Sequence, residues 1–237
     1  MEWVDIELLK EAVKPFGIQI DRTAEEKFCA YAQLLCLWNQ KMNLTAITSR
    51  DGIALLHFAD SLTLLNAADF KEGASLADVG TGAGFPSVPL AIMRPDMNFT
   101  LIDSLNKRLT FLQEVKERLG LRFETVHGRA EQLALQPDFR ERFDFATARA
   151  VAGLNVLCEY CLPFVRPGGE FLAMKGPSGE QEAADAAGAA ELLGGSIDGI
   201  KHFSFAENSR SVVIIKKIAN TPKKYPRQSA KIKKSPL

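Results

Sequence analysis

Two regimes of apolar spacing divide the chain. Up to about residue 70, apolar positions recur at helical intervals. Phe28, Tyr31, Leu34, Leu35 and Trp38 mark one helix; Leu55, Leu56, Phe58, Ala59, Leu62 and Leu65 mark another, after the polar turn Thr48-Ser49-Arg50-Asp51. Thr23, with Glu26 three residues on, predicts a capping box at the start of the first helix. From Ser75 the pattern changes to short apolar runs at 75–79, 99–103, 122–127, 143–149 and 170–175. Amphipathic helical stretches lie between them at 89–93, 107–119 and 154–162, and an alanine-rich one follows at 180–193.

Buried strands alternating with helices imply right-handed βαβ units and a parallel sheet covered on both faces. The runs at 197–205 and 211–218 are separated only by the polar turn Glu207-Asn208-Ser209, which predicts a hairpin and an antiparallel end to the sheet. The expected fold is therefore α/β: a seven-stranded, mostly parallel sheet with a terminal antiparallel hairpin and an N-terminal helical extension. That is the layout of class I S-adenosylmethionine-dependent methyltransferases, whereas dehydrogenase Rossmann domains usually lack the hairpin. The expected division is a helical extension over 1–70, a Rossmann-like domain over 71–218 and a basic tail over 219–237.

Composition narrows the class. Apolar residues make up 46% of the 237 and charged residues 24%, which fits a globular chain and excludes a disordered one. The apolar runs fall far short of a membrane span. Met1-Glu2-Trp3-Val4-Asp5 is acidic where an export signal is basic, so the cytoplasm is the expected compartment. Cys158 and Cys161 form a C-x-x-C, but no second pair completes a zinc site and both fall in an apolar helical pattern, so reduced, half-buried thiols and no metal are expected. The net charge of zero hides an asymmetry. Residues 216–237 hold eight basic residues and no acid, leaving 21 basic against 29 acidic, a net of −8, in residues 1–215. A basic, proline-punctuated tail on an acidic body points to a polyanionic partner such as nucleic acid. Prolines 222, 226 and 236 predict that it is extended and adaptable.

The stretch Asp78-Val79-Gly80-Thr81-Gly82-Ala83-Gly84-Phe85-Pro86 carries the most chemistry. It sets three alternating glycines between a buried strand and a helix, where backbone can turn sharply and approach a ligand at a helix N-terminus. A dinucleotide fingerprint, G-x-G-x-x-G, needs a small third residue beside the pyrophosphate; counted from Gly80 that position is Phe85. The G-x-G-x-G spacing suits a cofactor without a pyrophosphate, and Gly80 and Gly82 are expected against the adenosyl and methionine portions of S-adenosylmethionine. Asp103 ends the next strand, 23 residues after Gly80, where an acid accepts from ribose hydroxyls; it is equally placed to cap the helix that follows. Gly128-Arg129-Ala130-Glu131 falls where a loop meets the adenine edge, or is an ordinary helix start. Arg149 and Lys175 stand at the carboxyl ends of their strands as candidates for positioning substrate, Lys175 alternatively as a solvated strand-end lysine. His57, His127 and His202 have no partners in the pattern and are expected to be structural or superficial.

Trp38-Asn39-Gln40-Lys41-Met42-Asn43-Leu44-Thr45-Ala46-Ile47, the glycine loop, Asp103-Ser104-Leu105-Asn106-Lys107-Arg108 and Thr147-Ala148-Arg149-Ala150-Val151 together resemble the RsmG (GidB) family, over about residues 24–236. The tail Asn220-Thr221-Pro222-Lys223-Lys224-Tyr225-Pro226-Arg227 is similar to that of its Gram-positive members. The resemblance implies a methyltransferase that places a methyl on nitrogen-7 of a guanine in the 530 loop of 16S ribosomal RNA. It implies S-adenosylmethionine as cofactor, with contacts at Gly80, Phe85, Ala130, Glu131 and Arg149, and at Asp103 by fold logic and family motif together. The expected partner is 16S rRNA or the small ribosomal subunit, with no membrane and no metal, met by a monomer. The residue chemistry agrees: there is no Asn/Asp-Pro-Pro-Tyr/Phe motif for an exocyclic amine and no Pro-Cys nucleophile for pyrimidine carbon-5. Guanine nitrogen-7 bears a lone pair and no hydrogen, so no general base is called for. A small-molecule or transfer-RNA methyltransferase on the same fold, and a catalytically idle RNA-binding protein, are the alternatives; the basic tail argues against the former and the intact loop with Asp103 against the latter.

Overall fold

The computed structural model describes residues 3–205 and 208–237. The regular structure up to residue 70 is helical: Ile6–Val13, Arg22–Asn39, and a run over 50–67 whose middle, Ile53–Ala59, is wound as a π-helix. The cap of the second helix is Asp21 rather than Thr23. The Asp21 carboxylate accepts from the Ala24 amide at 2.7 Å, which places a negative charge at the positive end of the helix and leaves Thr23 one residue inside it. Glu26 turns to Arg22 one turn back instead. Ser49 caps the run at 50–67, its hydroxyl accepting from the Gly52 amide.

Seven strands follow: β1 (Ser75–Val79), β2 (Asn98–Asp103), β3 (Glu124–His127), β4 (Phe143–Arg149), β5 (Val165–Lys175), β6 (Gly195–Phe205) and β7 (Asn208–Lys217). They form one sheet in the order β3-β2-β1-β4-β5-β7-β6. All neighbours are parallel except β7, which runs antiparallel between β5 and β6. Asn208 and Ser209, expected in the turn before it, already pair within β7; Glu207 lies outside the described residues. The sequence runs outward from β1 to β3 and then returns to β4, so the carboxyl ends of β1 and β4 flank the topological switch point at which open sheets bind ligands.

Both faces are covered because successive strand residues alternate between two cores. Leu76, Phe99 and Leu101 face a cluster built with Phe28, Tyr31 and Phe58 of the N-terminal helices. Ala77, Val79 and Ile102 face a second cluster containing Leu157, Phe164 and Ala186. The C-terminal residues join that second cluster: Tyr225 and Ile232 are buried, and 229–234 is helical. The tail is thus not the extended arm that its prolines suggested. Pro226 precedes the helix and does not interrupt it, and the buried side chains supply the packing that charge counting leaves out. No helix among the described residues is long and apolar enough to cross a membrane.

Candidate functional site

The glycine loop leaves β1 with Gly80, Gly82 and Gly84 all in the left-handed region, at φ +76°, +60° and +97°. Two of them serve different ends. A Cβ on Gly84 would meet Val88, Leu112 and the Tyr31 hydroxyl within 3 Å, so this glycine lets the loop seat on the helices beneath. A Cβ on Gly82 would meet nothing closer than the Gly80 carbonyl at 3.9 Å, so the loop leaves open volume there. The Tyr31 hydroxyl donates to the Ala83 carbonyl, tying the loop to the N-terminal extension. Beneath the loop, Asp78 is fully buried and its Oδ2 accepts from the Thr81 hydroxyl at 2.8 Å. Burial pushes this carboxyl up to about 7.

A cleft of about 570 Å³ opens above the carboxyl ends of β1, β2 and β4. Gly80, Asp103, Ala130 and Glu131 line it, together with Arg108, Val151, Val156 and Tyr160. Asp103 is almost completely buried and held from three sides. Its Oδ2 accepts from the Gly82 amide at 3.0 Å and Arg108 Nη1 at 3.2 Å, and its Oδ1 from the Leu105 amide at 2.9 Å. It does not cap the following helix, whose N-cap position is Leu105 without a side-chain bond. Its carboxylate therefore faces the cleft in a fixed orientation, with a lone-pair site left on Oδ1 and the half-exposed Arg108 on Oδ2. Gly82 takes part through its amide on Asp103.

Phe85 and Arg149, expected against the cofactor, are not among the residues lining this cleft. Phe85 is buried under the loop, its ring stacked on His57 with centroids 4.3 Å apart, and the Arg149 guanidinium sits 4.8 Å from the centre of the same ring. Arg149 lines a second cavity of about 320 Å³ with Ile47, His57, Asp60, Lys175 and Arg210. Both cavities share Ala150, a non-glycine residue at φ +56° where β4 ends. Arg149 Nη1 donates to Asp60 Oδ2 at 2.8 Å and to the Leu56 carbonyl, and Nη2 faces His57 Nδ1 at 3.2 Å. A guanidinium only donates, so His57 Nδ1 accepts; the ring proton then sits on Nε2 and is donated to the Thr45 hydroxyl at 2.8 Å. Burial first, and the Arg149 charge second, push His57 down to about 3, so it is a neutral spacer.

Lys175 is neither solvated nor free to roam. Its ammonium donates to the Ala152 carbonyl at 2.8 Å and pairs with Glu182 at 2.7 Å, bracing the loop after β4 from behind. Sequence reasoning missed Asp60, Arg210 and the role of His57, and also Tyr160 and Arg108. The motif Asn43-Leu44-Thr45 was the available signal, since it folds back around Asn39 and delivers Thr45 to His57. His127 contacts the Ser104 carbonyl, and His202 meets Glu180 on the surface. Burial raises the Cys158 thiol to about 12 and pushes the Cys161 thiol well above its ordinary value, which removes both as thiolate nucleophiles. No group of three or more His, Cys, Asp or Glu among the described residues is placed to hold a metal ion.

The family model for rRNA small subunit methyltransferase G matches residues 24–213. The chain is 50% identical to the ribosomal RNA small subunit methyltransferase G of Acetivibrio thermocellus, covering 97% of this chain and 96% of that protein. It is 45% identical to the same-named protein of Clostridium beijerinckii, covering 98% of each. Among solved structures, TrmN from Thermus thermophilus superposes with a TM-score of 0.53 at 20% identity, covering 67% of this chain and 48% of that one. TYW2 of M. jannaschii, in complex with AdoMet, gives 0.51 at 13% identity, covering 62% and 71%. At such identities the structural likeness concerns the fold alone, which is that of class I methyltransferases.

Proposed function

The chain belongs to the rRNA small subunit methyltransferase G family, and on that footing we propose that it transfers a methyl group from S-adenosylmethionine to nitrogen-7 of a guanine in the 530 loop of 16S rRNA. The observation that carries this reading is the pairing of two cavities across Ala150: one of nucleoside size beside the glycine loop, the other lined by cationic side chains. The first fits the cofactor by its donor set and its space. Asp103, held by the Gly82 amide, supplies an oriented carboxylate for a ribose, and Ala130, Val151, Val156 and Tyr160 offer apolar walls to an adenine while Glu131 offers an acceptor. The bound cofactor supplies a methyl group on a sulfonium, an electrophile that needs no activation by the protein.

The second cavity receives the guanine. Arg149 and Arg210 share Asp60, so their guanidinium planes are held while each keeps N–H groups for the base edge or an adjoining phosphate. The Phe85–His57 stack beneath Arg149 excludes water from that side. Nitrogen-7 carries its own lone pair and no proton leaves it, so these residues have only to orient the base and fix its approach. Neutral His57 is suited to that and unsuited to act as a base. Lys175 and Glu182 hold the loop carrying Ala150 at the junction of the two cavities. The protein acts in this way as a cytoplasmic monomer on the rRNA or the small subunit. Incubation with methyl-labelled S-adenosylmethionine and unmodified 16S rRNA or small subunits, followed by nucleoside digestion, tests the reading. It requires label in 7-methylguanosine from the 530 loop; label in a ribose, a pyrimidine or an exocyclic amine overturns it.

A further inference from the structure

We propose that the C-terminal segment is a built wall of the adenosyl end of the cofactor cleft, with Ser229 and Lys233 closing that end; the inference rests on the cofactor reading above. Two residues from this segment, Ser229 and Lys233, line the same cleft as Asp103 and Glu131, although every other lining residue lies between 79 and 160. Their position follows from helix geometry. In the helix Ser229–Lys234, residues 229, 232 and 233 stand at i, i+3 and i+4 and share one face, which is turned inward because Ile232 is fully buried. Lys231 and Lys234 fall on the opposite, exposed face. The Ser229 hydroxyl meets the Tyr160 hydroxyl at 3.0 Å, joining the segment to a second cleft residue.

The segment cannot drift from this place cheaply. Glu159 is completely buried, and its carboxylate is paired wholly by Arg227: the amide at 2.7 Å, Nε at 2.9 Å and Nη2 at 2.6 Å. Withdrawing Arg227 would leave a buried charge uncompensated. Upstream, Arg140 donates to the Thr221 and Tyr225 carbonyls at 2.7 and 3.0 Å. Thr221 in turn accepts from the buried Lys217 ammonium. These anchors all precede Ser229, so the fold of the segment is set before it reaches the cleft. What Ser229 and Lys233 add there, beside Tyr160, is a hydroxyl and an ammonium at the rim, donors suited to the ring-nitrogen acceptors of an adenine.

The test truncates the chain after Gln228, which keeps Arg227 on Glu159 and removes the wall together with the buried Ile232. Binding of S-adenosylhomocysteine, and of 5′-methylthioadenosine as a probe of the adenosyl end alone, is measured by calorimetry for full-length and truncated protein. The expected result is a loss of tenfold or more for both ligands. The pair Ser229→Ala with Lys233→Ala, which leaves Ile232 in place, is expected to lose three- to tenfold and decides the matter if the truncated chain does not fold. Affinities within twofold of the full chain, or a loss for S-adenosylhomocysteine without one for methylthioadenosine, overturn the proposal. A full-length chain that binds neither ligand overturns the cofactor reading and this inference with it.

Discussion

Asp60 fixes Arg149 at the carboxyl end of β4, its Oδ2 accepting from Nη1 at 2.8 Å while its Oδ1 pairs with Arg210 on β7 at 3.2 Å. One carboxylate from the N-terminal extension thereby organises both cations of the second cavity. Asp60 and Arg149 are each largely buried, at 8% and 14% side-chain exposure, so removing the acid leaves two guanidinium groups facing one another with little water. Asp60→Ala is expected to cost about 3–5 kcal/mol of stability in urea unfolding. Methylation of rRNA should fall at least tenfold in kcat/KM with cofactor affinity unchanged within twofold. A variant that loses cofactor binding but methylates at the normal rate when saturated would place Asp60 in the wrong cavity.

Cofactor affinity should depend on Asp103 and on the space at Gly82. Asp103→Ala removes the oriented acceptor and also releases the Gly82 and Leu105 amides. A loss of about 1–3 kcal/mol in binding S-adenosylmethionine is expected. Gly82→Val adds a branched side chain to open volume at φ +60° and should abolish binding. Calorimetry reads both, with thermal unfolding alongside to confirm folded protein; tight binding of NAD with no heat from S-adenosylmethionine would refute the assignment of the cleft.

How much of this was legible in the chain depended on how local each feature is. The strand, the glycine loop and Asp103 are readable because a single βαβ unit places them, and the antiparallel hairpin is readable from two apolar runs nearly abutting. The second cavity was not, since Asp60, Arg149 and Arg210 come from segments about 90 and 60 residues apart and meet only once the sheet has formed. Thr23 satisfied a capping pattern that Asp21 fulfils with a better placed carboxylate. The order of the tail was hidden because it hangs on Glu159, one acid in an apolar helix whose partner lies 68 residues later.

Stability should fall with rising pH through the titration of Asp78. Burial lifts this carboxyl to about 7, well above its ordinary value. Between about pH 4 and 7 the folded chain keeps a proton that the unfolded chain has released, so this contribution is complete below pH 4, declines as pH rises, and levels off above 7. The swing is up to roughly 4 kcal/mol. Asp78→Asn keeps an acceptor for the Thr81 hydroxyl and removes the titration. Urea unfolding at pH 4.5 and 8 should therefore show the variant gaining on the parent chain at the higher pH; parallel curves would contradict the burial argument.

The methyl-transfer step should need no titrating base near neutrality. His57, the histidine in the second cavity, is already neutral above about pH 3 and holds its proton on the side away from Arg149. Single-turnover rates of the Asp78→Asn chain with saturating cofactor, which isolates the step from the loop carboxyl, are expected to be flat from pH 5.5 to 9. A limb near pH 6–7 that vanishes in His57→Gln would show that the histidine takes part in proton transfer.

The outward lysines of the C-terminal segment should supply its contacts with RNA. Of the basic residues from 223 on, all but Arg227 are exposed; Arg227 is committed to Glu159 and Lys233 stands at the cleft rim, which leaves Lys223, Lys224, Lys231 and Lys234 to meet RNA. Each lysine that neutralises a phosphate of single-stranded RNA releases counterion and adds a slope of about −0.7 to log K against log salt. Replacing the four by glutamine should flatten that dependence by up to about three units and weaken binding most at low salt. Lys231 and Lys234 fall opposite the face that carries Ser229, Ile232 and Lys233, and Lys223 and Lys224 precede the helix and do not line the cleft, so cofactor affinity should stay within twofold. The two faces of one short helix are thereby separable: changes on the inner face move cofactor binding, and changes on the outer face move the salt slope. Titrations of the quadruple variant and the parent chain at several salt concentrations read the difference directly. Superimposable slopes would leave the outer face with no part in RNA binding and assign the affinity to the arginines of the second cavity.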